Sequence, residues 1–315
     1  MKVRDALAAG IHTLVRERWL ALGLWLVNVA FALPAAWAVT GALQTSIGGS
    51  RAHESLRGGF DMGWFGEFED KAEGLAATFS PTLNGGGAFL DNMEAWVSGD
   101  LFTRYPLVLG IAAGYVVVWL VLLGGTLDRF AGEDDDRSLG RLLGAGGHTL
   151  LRFVRLALMS AALYASIYLL QRALFGRLEE WTRDTTSEWP VVVMSLALYL
   201  GTALQLLFVH IAFGYAKVAT VVDERRSMIL AAVRGFVFVL LHPRQTLGLA
   251  ASILTFTGIV LALYAWLAPG SGQASVVTVV AAFVVGQLVL MTRLGARLTH
   301  LAGQTALYRH LSGAA

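Results

Sequence analysis

The sequence is poor in charged residues and contains no cysteine. Of its 315 residues, 15% are charged and 6 are proline, whereas roughly a quarter of the residues of a soluble domain are charged. Without cysteine the chain cannot form disulfides, thiolate metal sites or cysteine nucleophiles. The hydrophobic share, by contrast, is 56%. This balance indicates a protein that has lipid as the solvent for much of its length.

Six apolar stretches are long enough to cross a membrane, for which a helix needs roughly 20 residues. The first is too long for a cleavable signal peptide and contains Asn28 and Pro34, so we expect it to remain as a span. No polar stretch reaches the size of a soluble domain, so residues 1–315 are predicted to be one membrane domain. The stretches are Trp19–Leu43, Tyr105–Leu127, Leu150–Leu170, Pro190–Ala216, Thr246–Ala268 and Ser275–Thr292.

The charges between these stretches predict their orientation. The N-terminus, residues 128–155, residues 217–244 and the C-terminus together hold 17 basic and 9 acidic residues. The opposite side, mainly residues 44–104 and 171–189, holds 7 basic and 13 acidic residues. Because Lys and Arg concentrate on the cytoplasmic side of membrane proteins, both termini are predicted to be cytoplasmic.

The segments on the basic side repeat. Residues 9–16 match residues 145–152 at six of eight positions, and a second match, with an offset of 89 residues, pairs residues 125–155 with 214–244. Each copy carries a short amphipathic stretch before a span, which is typical of helices that lie in the membrane interface. We call these stretches elbows. They predict three helix–elbow–helix units, namely 105–170, 190–268 and a third formed by the two chain ends. The copies are parallel, which disfavours an alternating-access transporter with inverted repeats.

The outer segment 44–104 is acidic and carries two apolar stripes at helical spacing. It is predicted to form an amphipathic helical cap on the periplasmic side. Three interpretations remain open, namely a cap that packs over the span ends, a docking surface for a protein partner, and a site for a cation such as Ca²⁺. The candidate docking residues are Trp64, Glu67, Phe68, Asp70, Asp91, Glu94 and Trp96.

The sequence lacks the motifs of catalysis and nucleotide binding. GxxxxGK[ST], GxSxG and HExxH are all absent, and no two histidines have metal-ligand spacing. The prediction is therefore a protein that is not an enzyme, with no cofactor, no metal and no nucleic-acid partner. The glycines in 144–147 and the GxxxG of Gly110 and Gly114 are predicted to mark close helix packing.

Polar residues inside the spans are the remaining candidates for a functional site. Asn28, His210 and Gln287 lie at similar depth, roughly 9–14 Å from the basic side, and Gln205 precedes His210 by five residues. These four residues could form a polar layer that binds a substrate, because a titratable group within a membrane is often functional. The alternative is that they hydrogen-bond between helices for packing alone.

A run of residues from the end of the fourth span onward resembles a known pattern. It reads GYAK at 214–217, VDERRSM at 222–228, RGF at 234–236 and HPR at 242–244. It looks like uncharacterised six-helix bacterial membrane proteins that are similar to the membrane domain of some glycerophosphodiester phosphodiesterases. The resemblance implies a multi-helix module of the inner membrane. No residues of the phosphodiesterase active site carry over, since the catalytic domain has no counterpart here.

Together these features predict an all-α polytopic membrane bundle of six helices in a bacterial cytoplasmic membrane. The first hypothesis is a non-catalytic subunit that is structural, binds membrane lipid or forms a complex with partners at the cap. The second is a carrier or channel for a small or lipidic substrate through the polar layer. The third is a membrane enzyme that uses outer carboxylates such as Asp61, Glu67 and Asp91.

Overall fold

The computed structural model of the chain is helical throughout the part that it describes. This part comprises residues 1–48, 56, 61–72, 76, 106–132, 136–183, 185, 187–224, 226–267 and 275–313. Within it the chain forms nine helices and no strand, which confirms the predicted all-α class. They are α1 (Val3–Arg16), α2 (Arg18–Gly48), α3 (Met62–Lys71), α4 (Pro106–Ala131), α5 (Leu139–Thr182), α6 (Glu188–Val222), α7 (Met228–Leu241), α8 (Pro243–Leu267) and α9 (Val276–Ser312).

Six of these helices, α2, α4, α5, α6, α8 and α9, are long and apolar enough to cross a membrane. Each predicted span overlaps one of them, so the chain is a multi-pass membrane protein. Helix α5 extends well beyond its predicted span, Leu150–Leu170, at both ends. Helix α5 has 44 residues, or about 66 Å, which is about twice the thickness of the hydrocarbon core. It therefore joins the second elbow and the third span in one helix.

Two helices are too short to span. Helices α1 and α7 have 14 residues each, or about 21 Å. Helix α1 is separated from α2 by Glu17 alone, and α7 is separated by His242 alone from α8, which begins at Pro243. Proline cannot supply the backbone N–H that a continuing helix needs, so the chain turns here and starts a new helix. Both short helices coincide with predicted elbows.

The chain divides into two compact units. The first comprises Met1–Thr13, Leu120–Ser252 and Thr299–Ala315. It contains the elbows and the parts of the spans adjoining them, and its core is formed by large side chains that are almost completely buried. These include Tyr215, Val239, Leu249, Leu307 and Tyr308.

The second unit comprises Leu14–Trp119 and Ile253–Leu298. Within it, Phe31 of α2 packs edge-on against Tyr115 of α4, with ring centroids 5.5 Å apart. The GxxxG motif contributes little to this contact, because among the described residues a Cβ at Gly110 would meet nothing within 4 Å and one at Gly114 would meet the Phe31 ring. The described residues therefore show no close packing at Gly110. An aromatic pair, rather than a glycine notch, joins these helices.

Candidate functional site

Helix α7 has one buried and one exposed apolar face. Every residue from Met228 to Leu241 is apolar or glycine except Arg234. One face is buried and includes Ala231, Gly235 and Phe238. The other face is open, with exposed fractions of 67% for Ile229, 66% for Leu240 and 69% for Leu241. A helix that is apolar on both faces, and too short to span, is suited to lie at the boundary of a bilayer.

The elbow within α5 packs against α4 through two glycines. A Cβ added to Gly146 would overlap with the carbonyl oxygen of Val121, and one added to Gly125 would overlap with that of Leu142. Each helix therefore presents a glycine to the backbone of the other, and neither position tolerates a side chain without movement. Of the glycines in 144–147, Gly146 alone makes such a contact, which confirms the predicted close packing at that position only.

Helix α1 packs against α9 by the same arrangement. A Cβ on Gly10 would overlap with the carbonyl oxygen of Thr299, and one on Gly303 would lie 3.0 Å from that of Ala6. Both pairs of helices share one spacing. On each helix, the glycine lies four residues after the residue whose carbonyl oxygen faces the glycine of the other helix. Gly235 of α7 makes a related contact with the Ala212 carbonyl of α6. All three elbows thus approach a span backbone-to-backbone.

Serine side chains begin two of the elbows. The Ser138 hydroxyl accepts a hydrogen bond from the Arg141 N–H at 3.2 Å, and the Ser227 hydroxyl accepts one from the Leu230 N–H at 3.5 Å. Asp136 accepts a further bond from the Ser138 N–H at 2.9 Å. This bond, together with the nearby Arg141 and Arg129, holds the pKa of the Asp136 carboxyl below its usual range. The carboxyl is therefore ionised at neutral pH.

Removing the Ser138 cap tests this local structure. Ser138→Ala is expected to lower the free energy of unfolding by about 1 kcal/mol, the usual contribution of an N-cap side chain. Ser187 is the matched control, because it begins α6 without a side-chain capping bond. Thermal unfolding in detergent should shift for Ser138→Ala and not for Ser187→Ala, and an equal shift in both variants would contradict the assignment.

A buried tyrosine joins α9 to the start of α7 in the first unit. The Tyr308 hydroxyl donates to Asp223 at 2.9 Å, and Arg234 lies 3.4 Å from the same carboxylate oxygen. The Tyr308 ring packs on Phe238 of α7, with centroids 4.9 Å apart, and Phe238 also contacts Tyr215. The C-terminal helix is thereby tied both to the α6–α7 turn and to the apolar face of α7.

Two of the predicted polar-layer residues form hydrogen bonds between helices of the second unit. Asn28 accepts from the Tyr115 hydroxyl at 2.7 Å, and its amide donates to the Leu24 carbonyl at 2.7 Å. Gln287 accepts from the Trp25 indole N–H at 3.0 Å. Each side chain therefore bonds to an aromatic residue, and the two do not bond to each other. These contacts correspond to the alternative interpretation from the sequence, in which the polar residues hydrogen-bond between helices for packing.

The other two members of the predicted layer lie in the first unit, on α6. Gln205 and His210 are both exposed. Exposed polar groups on a span face lipid, a partner or an aqueous path.

Arg293, Arg297 and Trp119 of the second unit were not singled out from the sequence. The Arg297 guanidinium of α9 lies over the Trp119 ring of α4, with its carbon 4.2 Å from the ring centroid. Arg293 lies one turn before it and is exposed. The spacing of the two arginines, i and i+4 at the end of a span, could have indicated a site. In the analysis of orientation they counted only as positive charges.

The described part of the cap is one helix, α3, packed on α2. Trp64 and Phe68 are buried among Ala42, Leu43 and Ile47, and the Trp64 indole N–H donates to the Ser46 hydroxyl at 3.1 Å. Glu67 and Asp70 are exposed on the other face, as the apolar stripe predicted. The remaining docking candidates, Asp91, Glu94 and Trp96, lie outside the described residues.

Carboxylates of the proposed enzyme site are engaged in local structure. Asp61 caps α3 by accepting from the N–H groups of Gly63 and Trp64 at 2.9 and 3.1 Å. Glu67 lies 4.0 Å from Lys71 on the exposed face, and Asp91 lies outside the described residues. No group of three or more metal-ligating side chains occurs in the described part of the chain. Comparisons with family models, curated proteins and solved structures gave no significant match.

Proposed function

We propose that this multi-pass membrane protein is a non-catalytic, lipid-binding protein of a bacterial cytoplasmic membrane. In this proposal the three elbows lie in the cytoplasmic leaflet and hold lipid against the bundle, and the repeated units make the elbows equivalent. The observation that carries the proposal is the exposed apolar face of α7. A face of this kind is stable in contact with acyl chains and costly in water.

The distribution of charge supports the choice of leaflet. The side that carries the elbows holds 17 basic and 9 acidic residues, and anionic lipids attract basic segments next to the membrane by about 1 kcal/mol per Lys or Arg. An elbow with an apolar outer face and basic neighbours therefore fits the headgroup region of the cytoplasmic leaflet. The resemblance to six-helix modules of the bacterial inner membrane is consistent with the proposed location in the cytoplasmic membrane.

A change of three exposed residues on α7 tests the proposal. The triple variant Ile229→Gln, Val233→Gln and Leu240→Gln leaves the buried face intact and makes the exposed face polar. Because polar side chains disfavour contact with acyl chains, we expect fewer phospholipids to remain bound on native mass spectrometry. The rise in Tm on adding phospholipid should also shrink to less than half.

The control changes the same three residues to other apolar ones, namely Ile229→Val, Val233→Ile and Leu240→Met. It should retain lipid like the wild type, because the exposed face stays apolar. Equal lipid retention by the polar triple variant would contradict the proposal and would indicate that a protein, rather than lipid, covers this face.

A carrier or channel is the second candidate function. The observation in its favour is that Gln205 and His210 are exposed on α6, where a polar path through the membrane would need such groups. Flux assays on protein reconstituted in liposomes, with His210→Leu as the comparison, distinguish the two. Flux that depends on His210 would favour the carrier, whereas lipid retention without flux would favour the first proposal.

The outer face of α3 is the candidate surface for a protein partner. Among the described residues, its apolar side packs on α2 and its acidic side with Glu67 and Asp70 is exposed. A partner at this position would need a basic surface. Capture of a stoichiometric partner that is lost in a Glu67→Lys, Asp70→Lys variant would add complex formation to the proposed lipid binding.

A further inference from the structure

We propose that Arg293 and Arg297 of α9, with Trp119 of α4, form a site for the phosphate group of an anionic phospholipid. The proposal rests on the lipid-binding function proposed above and assigns a ligand class to one place in the second unit. The chemistry is that of a phosphate oxyanion, which two guanidinium groups bind through charge-assisted hydrogen bonds.

The two arginines have no anionic partner among the residues that the structure describes. In the part of the chain that the structure describes, neither makes an ion pair or a hydrogen bond through its guanidinium; the Trp119 contact of Arg297 is a ring contact. They lie four residues apart on one helix, where two like charges repel by about 0.2–0.5 kcal/mol. An anion that binds between them would remove this repulsion and satisfy the unused donors.

Trp119 fixes the orientation of one guanidinium. The guanidinium carbon of Arg297 is 4.2 Å from the indole centroid, so the planar group rests on the ring face. Its N–H donors make no hydrogen bond in the described part of the chain and remain available. The indole is held in turn by Tyr115, whose ring stacks on it with centroids 6.1 Å apart and an interplanar angle of 21°. A preoriented guanidinium loses less freedom on binding an anion than a mobile one does.

The platform holds one further unused donor, and two side-chain acceptors of the same unit are already engaged. The side-chain oxygen of Asn28 already accepts from Tyr115, and that of Gln287 accepts from Trp25. The Trp119 indole N–H is buried and has no acceptor in the described part of the chain. A surrounding with occupied acceptors and unused donors favours a ligand that only accepts, as a phosphate diester does.

The position of the arginines along α9 favours lipid as the source of that phosphate. From Val276, the first residue of the helix, Arg293 is about 26 Å and Arg297 about 32 Å along the axis. The hydrocarbon core of a bilayer is about 30 Å thick. The two guanidiniums therefore lie at the far boundary of the core, where the phosphates of one leaflet are located and long arginine side chains can reach them.

The test is native mass spectrometry of the full-length protein with phosphatidylglycerol and, separately, with phosphatidylcholine. We expect the wild type to bind phosphatidylglycerol more tightly. Arg297→Gln should weaken that binding about tenfold, which is the loss of one charge-assisted interaction, and leave phosphatidylcholine binding unchanged. Arg297→Lys should fall between the two, because it keeps the charge and loses the planar donors. Arg172→Gln, an exposed arginine in the segment 171–189 on the opposite side, should bind like the wild type.

A second variant keeps the test decisive if Arg297→Gln does not fold. Trp119→Leu retains both charges and removes the platform, so phosphatidylglycerol binding should weaken while the cation count stays the same. Unchanged preference for phosphatidylglycerol in either folded variant would overturn the site. Inorganic phosphate that binds in detergent, and competes fully with the lipid, would overturn lipid as the source.

The same measurements separate this site from the proposed function. Wild-type protein that binds both lipids equally would overturn the arginine site and leave lipid binding by the elbows in place. Wild-type protein that retains neither lipid would overturn both proposals.

Discussion

Gly146→Ala is expected to lower the free energy of unfolding by about 3 kcal/mol, near the upper end for overpacking a well-packed contact. The new methyl group would overlap with the carbonyl oxygen of Val121, and the Gly124 backbone lies directly beside it. The obstacle is main chain and cannot rotate away, so α4 and the elbow of α5 must separate. Thermal unfolding in detergent, read by size-exclusion chromatography of the remaining monodisperse protein, measures the change.

The adjacent glycine is a matched control for this variant. A Cβ on Gly147 would meet nothing within 4 Å, so Gly147→Ala should leave the stability unchanged or raise it by up to about 1 kcal/mol through its better helix propensity. Destabilisation of both variants to the same extent would show that flexibility of this helix, rather than backbone contact, is the reason for the glycines.

Tyr308→Ala is expected to destabilise the protein by about 4 kcal/mol, the range found when a large buried aromatic residue is truncated. The change removes a fully buried ring from the contact with Phe238 and breaks the bond to Asp223. Tyr308→Phe keeps the ring and loses only the hydroxyl, so its cost should be about 1–2 kcal/mol. Chemical or thermal unfolding of the two variants separates packing from hydrogen bonding.

Tyr168 supplies the comparison for a tyrosine outside the core. It lies on α5 with 46% of its surface exposed, so Tyr168→Ala should have a small effect on stability. A similar loss for Tyr168→Ala and Tyr308→Ala would contradict the view that the core is concentrated around the elbows of the first unit.

The spans could be predicted from the sequence because their signal is local. A run of about 20 apolar residues satisfies the length and hydropathy needs of a membrane helix without reference to any neighbour. The caps at Ser138 and Ser227 are equally local. For helix α5, in contrast, the sequence predicted a separate elbow and span. The two differ in composition, amphipathic against apolar, and still form one continuous helix.

The contacts between helices depend on information that spacing does not contain. Gly110 and Gly114 match the packing motif, yet the close backbone contacts occur at Gly125 and Gly146. Asn28 and Gln287 were predicted to share a layer because they lie at similar depth in the membrane. In the structure each one hydrogen-bonds to a different aromatic residue. A residue's depth follows from its distance to the span end, but the direction of its side chain follows from how neighbouring helices rotate and pack.

The depth of α7 in a lipid bilayer is the most direct test of the proposal that its exposed apolar face contacts acyl chains. The chain has no cysteine, so a single cysteine at exposed Val237 can carry a fluorescent probe, with Arg226 in the preceding turn as the reference for water. After reconstitution, we expect lipids with spin-labelled acyl chains to quench the probe at residue 237. Aqueous iodide should quench the probe at residue 226. Quenching by iodide that is equally strong at both positions, with none from the lipid chains, would contradict it.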